Sequence, residues 1–435
     1  MIDSRTLRIA LLGAGNVGSQ VARLLIENRT ELAARAGADL ELVGIAVRDV
    51  DAKRDVELPR ELLTTDADSL IVGADIVIEL MGGIEPARSY ILKAVESGAD
   101  VVTGNKALLA AHGSELLEAT EQVGAEISYE ASVAAAIPIL RPLRDSLAGD
   151  NIRRVLAIVN GSTNFILDRM DQNGDSMADA SQLARELGYL EADPTLDVEG
   201  WDAAQKATIL ARLAFHTSID TERVYREGIT GVTAEQIEAA KSAGYVIKLL
   251  AVAERLTAED GTEGVSARVY PALVPREHPL ASVHGGNNAV FVDAEAAGPL
   301  MFYGAGAGGL QTASAILGDV VSAARRHVAG GPGLVGSSHA ALPLLSIDDV
   351  ITKYQINLLV EDRPGVLAEL AGIFESLGVS VQTVEQFVAE EEGLATLIVG
   401  THSAREKALR ATVEALREAK ATARIVSVLR VEGAQ

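Results

Sequence analysis

The 435-residue chain contains no cysteine. Disulfides, zinc–thiolate sites, iron–sulfur clusters and thiol nucleophiles are thereby excluded. So is oxidation of an aldehyde to the acyl level through a covalent thiol adduct. Aromatic residues make up only 3%, too few for the stacking platforms that hold single-stranded nucleic acid. Positive charge is scarce as well: 38 Lys and Arg stand against 61 Asp and Glu, a formal net charge of −23. So acidic a chain lacks the basic patches that bind nucleic acid and is repelled by an anionic membrane surface. Long hydrophobic runs are also missing. The most apolar segment, Ala131–Leu140, contains Pro138 and falls far short of the ~20 residues that span a bilayer. Met1–Arg8 carries Asp3, and the apolar run after it breaks at Gly13, unlike a secretory or transit peptide. The expectation is a soluble, cytoplasmic, globular protein that partners neither nucleic acid nor membrane; 48% hydrophobic residues supply ample core.

At ~150 residues per domain the length predicts two to four domains. In the first third, apolar strand-like runs (Leu7–Leu12, Leu40–Val47, Asp75–Leu80, Ala99–Val102, Glu126–Tyr129) alternate with helical patterns at Asn16–Glu27, Pro86–Ser97 and Glu115–Gln122. Alternating β and α elements predict a doubly wound parallel sheet of Rossmann type over residues 1–135, completed by 305–330. Residues 136–304 read as an α+β catalytic and oligomerisation domain. Its expected helices are Ser176–Leu187, Trp201–Phe215 and Ala234–Glu254, and its expected strands Arg153–Val159, Val265–Leu273 and Ala289–Val292. Gly304–Gly309 opens a last helix, Thr312–His327. Ala329–Leu345 is rich in Gly, Pro, Ser and Ala and reads as a linker, placed at 331–349, with little capacity to pack. Residues 350–435 follow the order βαββαβ, a ferredoxin-like module: Pro364 sits in a first helical turn, Val366, Leu370, Ile373 and Leu377 recur at helical spacing, and Gly378 ends that helix.

Gly13-Ala14-Gly15-Asn16-Val17-Gly18 follows the first strand and opens the first helix. In that context G-x-G-x-x-G is a dinucleotide-binding turn. Gly13 permits the tight turn, Gly15 lets a pyrophosphate approach, Gly18 lets helix and strand pack, and the free N–H groups of the helix start at Asn16 and Val17 face the anion. At the end of the second strand, Arg48 suits a ribose 2′-phosphate and Asp49 a 2′-hydroxyl. The reading favours NADP(H) and keeps NAD(H) open; a solvated surface role for Arg48 also stands.

Lys106 ends a strand and starts a helix in Thr103-Gly104-Asn105-Lys106, at the strand ends where such sheets bind ligands. An ordinary helix N-terminal lysine fits the pattern equally well. A second cluster runs from Gly188 through Glu191, Pro194, Asp197 and Gly200 to Asp202 and Lys206. Asp202 and Lys206 share one helical face at i,i+4, and Ile209 and Leu213 turn that face inward. Buried charges are costly unless paired or used, so the pair is either a simple ion pair or part of a site. Together with Glu191 the carboxylates can bind a substrate ammonium or hydroxyl beside a lysine of tuned pKa. The seven histidines follow no metal-binding spacing. A nucleotide-sensing regulator without catalysis, or another amino-acid dehydrogenase on the same fold, would share the two ends of the chain; the first leaves this cluster without a purpose.

The runs GAGNVG, TGNKALLA around Lys106, YEASVAAAIPI at Tyr129–Ile139, NGSTNFIL at Asn160–Leu167, LGYLEADPTLDVEGWDAAQKATILA at Leu187–Ala211 and GAGAGGLQTASAILGD at Gly304–Asp319 resemble the homoserine dehydrogenase family over the whole chain. The resemblance implies NAD(P)-dependent interconversion of L-aspartate 4-semialdehyde and L-homoserine. It implies Lys206 as the proton donor in reduction, with Lys106 assisting near substrate and nicotinamide. Glu191 and Asp202 would bind homoserine, with Asp197 close by, and Gly188 and Gly306 would lie near the cofactor. Glu130, Val133, Ala135 and Ile137 would match a structural monovalent-cation site, sodium, made largely of backbone carbonyls. Glu361-Asp362-Arg363-Pro364-Gly365-Val366-Leu367 resembles the strand-to-helix turn of an ACT domain, which implies an amino-acid effector, L-threonine, and a homo-oligomer, dimer or tetramer.

Overall fold

The computed structural model describes residues 5–331, 339–388, 391 and 393–433. Residues 332–338 of the expected linker, and Met1–Ser4 of the amino-terminal segment, lie outside the described residues. Six parallel strands form the first sheet: β1 (Thr6–Leu12), β2 (Asp39–Ala46), β3 (Leu63–Thr64), β4 (Ile76–Glu79), β5 (Asp100–Thr103) and β6 (Ile127–Ser128), in the order β3-β2-β1-β4-β5-β6. The order reverses direction at β1, so the crevice beyond β1 and β4 is the ligand-binding position of such a sheet. Both faces are covered, as continuous apolar strands require. Leu7, Ile9 and Leu11 pack with the helices Asn16–Glu27 and Gly309–Ala329, whereas Ala10 and Leu12 join the core that includes Ile91, Leu108 and Leu116.

The second sheet has eleven strands: β7 (Ile152–Ile158), β8 (Tyr225–Arg226), β9 (Tyr245–Thr257), β10 (Glu263–Pro275), β11 (Asn287–Ala294), β12 (Gly298–Ala305), β13 (Ile351–Glu361), β14 (Val381–Val388), β15 (Leu394–Thr401), β16 (Ala404–Arg405) and β17 (Thr422–Val431). Its main path is β12-β11-β7-β9-β10-β17-β13-β15-β14. The carboxy-terminal βαββαβ module therefore shares a sheet with the middle domain. The joint is parallel pairing of Ala272 with Arg430 and of Leu273 with Val431.

Three expectations need correction. The helix expected at Ala234–Glu254 ends at Ser242, and β9 begins at Tyr245. Gly244 between them takes φ +80°, a left-handed turn that stops a helix. Val246–Ala253 is then buried at every position in mid-sheet, Lys248 included, and a run that is apolar at all positions but one does not by itself separate a buried strand from a buried helix. The helix opened by the glycine run is longer than expected, Gly309–Ala329, and Gly304–Ala305 instead end a strand, β12. The last residues of the expected linker do pack. Val265 N donates to Pro343 O (2.9 Å) and Leu345 N to Val265 O (2.8 Å), while Leu342 and Leu344 lie against the main core.

Candidate active site

The glycine turn after β1 is built as its spacing requires. Gly13 has φ +101°, and a Cβ there would lie 2.6 Å from the Leu80 carbonyl oxygen. Its N–H donates to Ala46 O at the end of β2 (2.9 Å). Gly15 faces open space, as an approaching phosphate needs, and caps the helix that starts at Asn16 without a side-chain hydrogen bond. Gly18 is buried, and a Cβ there would lie 2.1 Å from Gly13 O. Gly18→Ala is accordingly expected to open the turn and abolish dinucleotide binding, read by fluorescence titration with NADPH and with NADH. Val17 packs partly against the core of the first sheet. Arg48 stands exposed just past β2, with no hydrogen bond or ion pair among the described residues.

The returning segment closes on this turn. A Cβ on Gly309 would fall 2.3 Å from Asn16 Oδ1, and one on Gly306 2.3 Å from Asn288 Oδ1. The Asn288 amide is fully buried with neither of its atoms hydrogen-bonded. Gly188 is exposed and takes φ +78°. The next residue, Tyr189, stacks on Phe165 at 4.8 Å and lies against Gly286.

Lys106 is the first residue of the helix Lys106–Val123, which begins beyond β5. The turn is held by Thr103 Oγ1 donating to Glu79 Oε2 (2.7 Å) and by Asn105 Nδ2 donating to Gly83 O (2.7 Å). From there the Lys106 ammonium pairs with Asp202 Oδ1. Lys206, one turn along the helix Trp201–Phe215, donates to Asp202 Oδ2 (2.8 Å) and to Val159 O (2.6 Å). Asn160 caps the next helix by accepting from Thr163 N (2.8 Å), and its Nδ2 donates to Asp197 Oδ1 (2.6 Å) and Asp202 Oδ2 (2.9 Å). One buried carboxylate thus lies between two ammonium groups brought from two domains. Glu191 stays exposed and joins no ion pair among the described residues.

The electrostatics follow from that arrangement. Burial alone would raise the Asp202 carboxyl, but the Lys206 and Lys106 charges outweigh it and hold the group below the usual carboxylate range. Burial lowers the Lys206 ammonium below its ordinary value of 10.5, with Asp202 opposing. Burial raises the Asp197 carboxyl against the hydrogen bond from Asn160. Such opposed shifts on neighbouring groups mark residues suited to moving a proton.

Two contributors escaped the sequence reading. Asn160 and the Val159 carbonyl lie at the end of β7, far along the chain from Asp202 and Lys206. The available signal was an asparagine directly before a helical run at a strand end, where an N-cap and a ligand site coincide. At the expected cation site, the Glu130 carboxylate is fully engaged: it accepts from Ile139 N (2.6 Å), Leu140 N (2.7 Å) and Arg141 N (2.9 Å), and pairs with Arg141 Nε (3.2 Å). With that carboxylate taken up, a cation there would fall to the backbone carbonyls. Val133, Ala135 and Ile137 are buried, Ala135 takes φ +50°, and none of the four carbonyl oxygens accepts from another segment among the described residues.

Comparison with known proteins gives the family. The family model described as homoserine dehydrogenase matches residues 138–321, its NAD binding domain matches 13–130, and the ACT domain matches 354–421. The chain is 53% identical to a homoserine dehydrogenase of Corynebacterium glutamicum over 426 residues, 98% of this chain and 95% of that protein. A crystal structure of a homoserine dehydrogenase from Thiobacillus denitrificans superposes with a TM-score of 0.89 at 36% identity, covering 99% of both chains. A hyperthermophilic archaeal homoserine dehydrogenase mutant in complex with NADPH superposes with a TM-score of 0.62 at 27% identity over 75% of this chain and 99% of that one. With two lysines on one buried aspartate beside a dinucleotide turn, and with relatives of this identity along nearly its whole length, the chain belongs to the homoserine dehydrogenase family of oxidoreductases.

Proposed function

We propose that the chain interconverts L-homoserine and L-aspartate 4-semialdehyde with NADP(H) as its preferred coenzyme and NAD(H) as an alternative. The observation that carries this reading is the Lys106–Asp202–Lys206 cluster at the mouth of the dinucleotide domain. Gly13, Gly15, Asn16, Val17 and Gly18 would hold the coenzyme's pyrophosphate, Arg48 its 2′-phosphate, and Lys106, Gly188 and Gly306 would border its nicotinamide end. When bound, the coenzyme supplies or accepts the hydride. Asp202, Asp197 and Glu191 supply carboxylates for the substrate's ammonium group. Lys206 gives its proton to the aldehyde oxygen during reduction and takes it back from the hydroxyl during oxidation, while Asp202 and Val159 O hold its amine in place.

The decisive experiment is homoserine-dependent reduction of NADP⁺ and NAD⁺, each with and without L-threonine. Turnover with homoserine supports the reading, and reduced turnover with threonine assigns the ACT module its effector. No turnover with either coenzyme would refute it. Arg48→Ala is expected to raise KM for NADP⁺ roughly 10–100-fold, the value of a lost charged hydrogen bond, and to leave KM for NAD⁺ unchanged. We assign a structural sodium ion to the carbonyls of Glu130, Val133, Ala135 and Ile137, a cytoplasmic location to the chain, and a homo-oligomeric state, dimer or tetramer. Among the described residues no helix is long and apolar enough to cross a membrane.

A further inference from the structure

The joint between the carboxy-terminal module and the middle domain is charged: a buried arginine of the module meets a carboxylate of the middle domain whose side chain is 42% exposed. Arg430, on β17, is 7% exposed. Within its own module it donates through Nε (3.0 Å) and Nη2 (2.6 Å) to Glu406 Oε1, on the first residue of the helix Glu406–Glu418. Across the joint, Nη1 donates to both carboxylate oxygens of Glu227 (3.1 Å each) and Nη2 to the Tyr225 hydroxyl (3.3 Å). One guanidinium thus uses its rigid fork of donors to hold two carboxylates from two domains.

Glu227 belongs to a short segment that runs from this joint to the candidate active site. Its own N–H donates to Val269 O (2.8 Å), which ties it to β10. At the next residue, a Cβ on Gly228 would lie 2.2 Å from Val198 O and 2.6 Å from Glu199 Cα, so the two backbones run in direct contact. Ile229 N then donates to Val198 O (2.8 Å). On the other side of Glu227, Arg226 donates to Glu199 O and its guanidinium lies 3.5 Å over the Trp201 ring. Val198, Glu199 and Trp201 fill the stretch between Asp197 and Asp202, the two carboxylates that Asn160 bridges. Five consecutive residues, Tyr225–Ile229, therefore touch Arg430 at one end and the 198–201 backbone at the other.

We propose that Arg430 and Glu227 are positioning residues for the substrate carboxylates. Through Gly228 and Ile229 the carboxy-terminal module sets the placement of Asp197 and Asp202, and whatever that module binds acts on the active site by this route. The inference rests on the substrate role proposed above for those two carboxylates. It predicts an effect on substrate and not on coenzyme, because the glycine turn at residues 13–18 belongs to the other sheet and shares no hydrogen bond with this segment.

The test uses the full-length protein and two variants that act from opposite ends. Glu227→Gln keeps the shape of the joint and removes its charge pair; Gly228→Ala leaves the charges and pushes directly on residues 198–199. Both are expected to raise KM for homoserine roughly 5–50-fold, the range of ordinary inter-site coupling, with KM for NADP⁺ unchanged and the unfolding transition retained. Arg430→Lys, which keeps the charge without the fork, is expected to fall between wild type and Glu227→Gln. Amide hydrogen exchange supplies a readout that does not need activity: protection of residues 194–202 falls in Glu227→Gln although the substitution lies elsewhere in the chain. Exchange changes confined to residues 350–433, or KM values for homoserine and NADP⁺ that move together, would overturn the proposal. If the wild-type protein does not turn over homoserine, the functional reading fails, while the exchange experiment still decides whether Arg430 and Glu227 hold the 194–202 segment.

Discussion

Lys206→Ala is expected to lower kcat for homoserine oxidation roughly 10²–10⁴-fold, the usual worth of a positioned general acid or base, while NADPH still binds. The side chain is buried, its amine has a carboxylate on one side and a carbonyl on the other, and among the described residues no other buried amine lies against the same carboxylate. Lys106 reaches that carboxylate too, but its side chain is 41% exposed against 10% for Lys206, so water surrounds the one and not the other. Lys206→Arg is expected to be nearly as inactive, because a guanidinium stays protonated and cannot take the hydroxyl proton. The pH dependence of the wild type has a definite sign. Oxidation needs the neutral amine, so its rate rises as pH passes upward through the Lys206 pKa; reduction needs the ammonium and falls over the same range. Burial places that transition below the ordinary lysine value of 10.5. Steady-state rates in both directions across pH, with cofactor titration of each variant, measure all of this. Lys206→Ala with near-normal turnover would remove Lys206 from the reaction.

Asp202→Ala is expected to have the largest effect on stability, about 3–5 kcal/mol, because it removes one partner of a buried ion pair and leaves the other uncompensated. Here the loss is shared by two ammonium groups, and the Asn160 amide loses one of its two acceptors. Lys206 relieves part of the cost by shedding its proton, which further impairs it as an acid. Activity therefore falls with stability. Asp202→Asn, which keeps the volume and one acceptor, loses less stability and still loses the charge. The chain's one tryptophan, Trp201, adjoins the substituted position, so denaturant unfolding followed by its fluorescence reads this helix directly. The pH dependence again has a fixed sign. The Asp202 carboxyl lies below its usual range in the folded protein, so its contribution is complete above the unfolded value of about 4 and is lost as pH falls below it. In Asp202→Asn that part of the acid sensitivity is absent. Equal acid sensitivity in both proteins would mean that the carboxylate does not carry the charge assigned to it.

Local patterns carried most of the fold. The glycine turn was legible because Gly13 and Gly18 each answer to a clash within a few residues or with the neighbouring strand, and Gly15 leaves open space between them. The Asp202–Lys206 pair was legible because i,i+4 spacing on a helix fixes adjacency. The misread helix at Ala234–Glu254 shows where such patterns stop: Val246–Ala253 is apolar except for Lys248, so its periodicity is silent, and its neighbours β7 and β10 decide that it is a strand. The short strand β12 went unnoticed because Gly298–Ala305 is only half-buried at a sheet edge and alternates weakly. The apparent linker hid a contact because Pro343 and Leu345 pair with Val265, a partner some eighty residues away in sequence.

By itself the amino-acid sequence determined the classes of chemistry open to this protein, the dinucleotide turn, the alternation of strand and helix in the first domain and the inward-facing acid–base pair, since each depends on composition or on residues less than two helical turns apart. Only the tertiary structure decided that Lys106 meets the same carboxylate as Lys206, that Asn160 joins Asp197 to Asp202, that Glu191 is exposed and outside their ion pairs, and that Arg430 reaches a segment lying against residues 198–201. Those contacts join residues tens to hundreds of positions apart, and their geometry is set by how two sheets pack and merge, which no local spacing encodes.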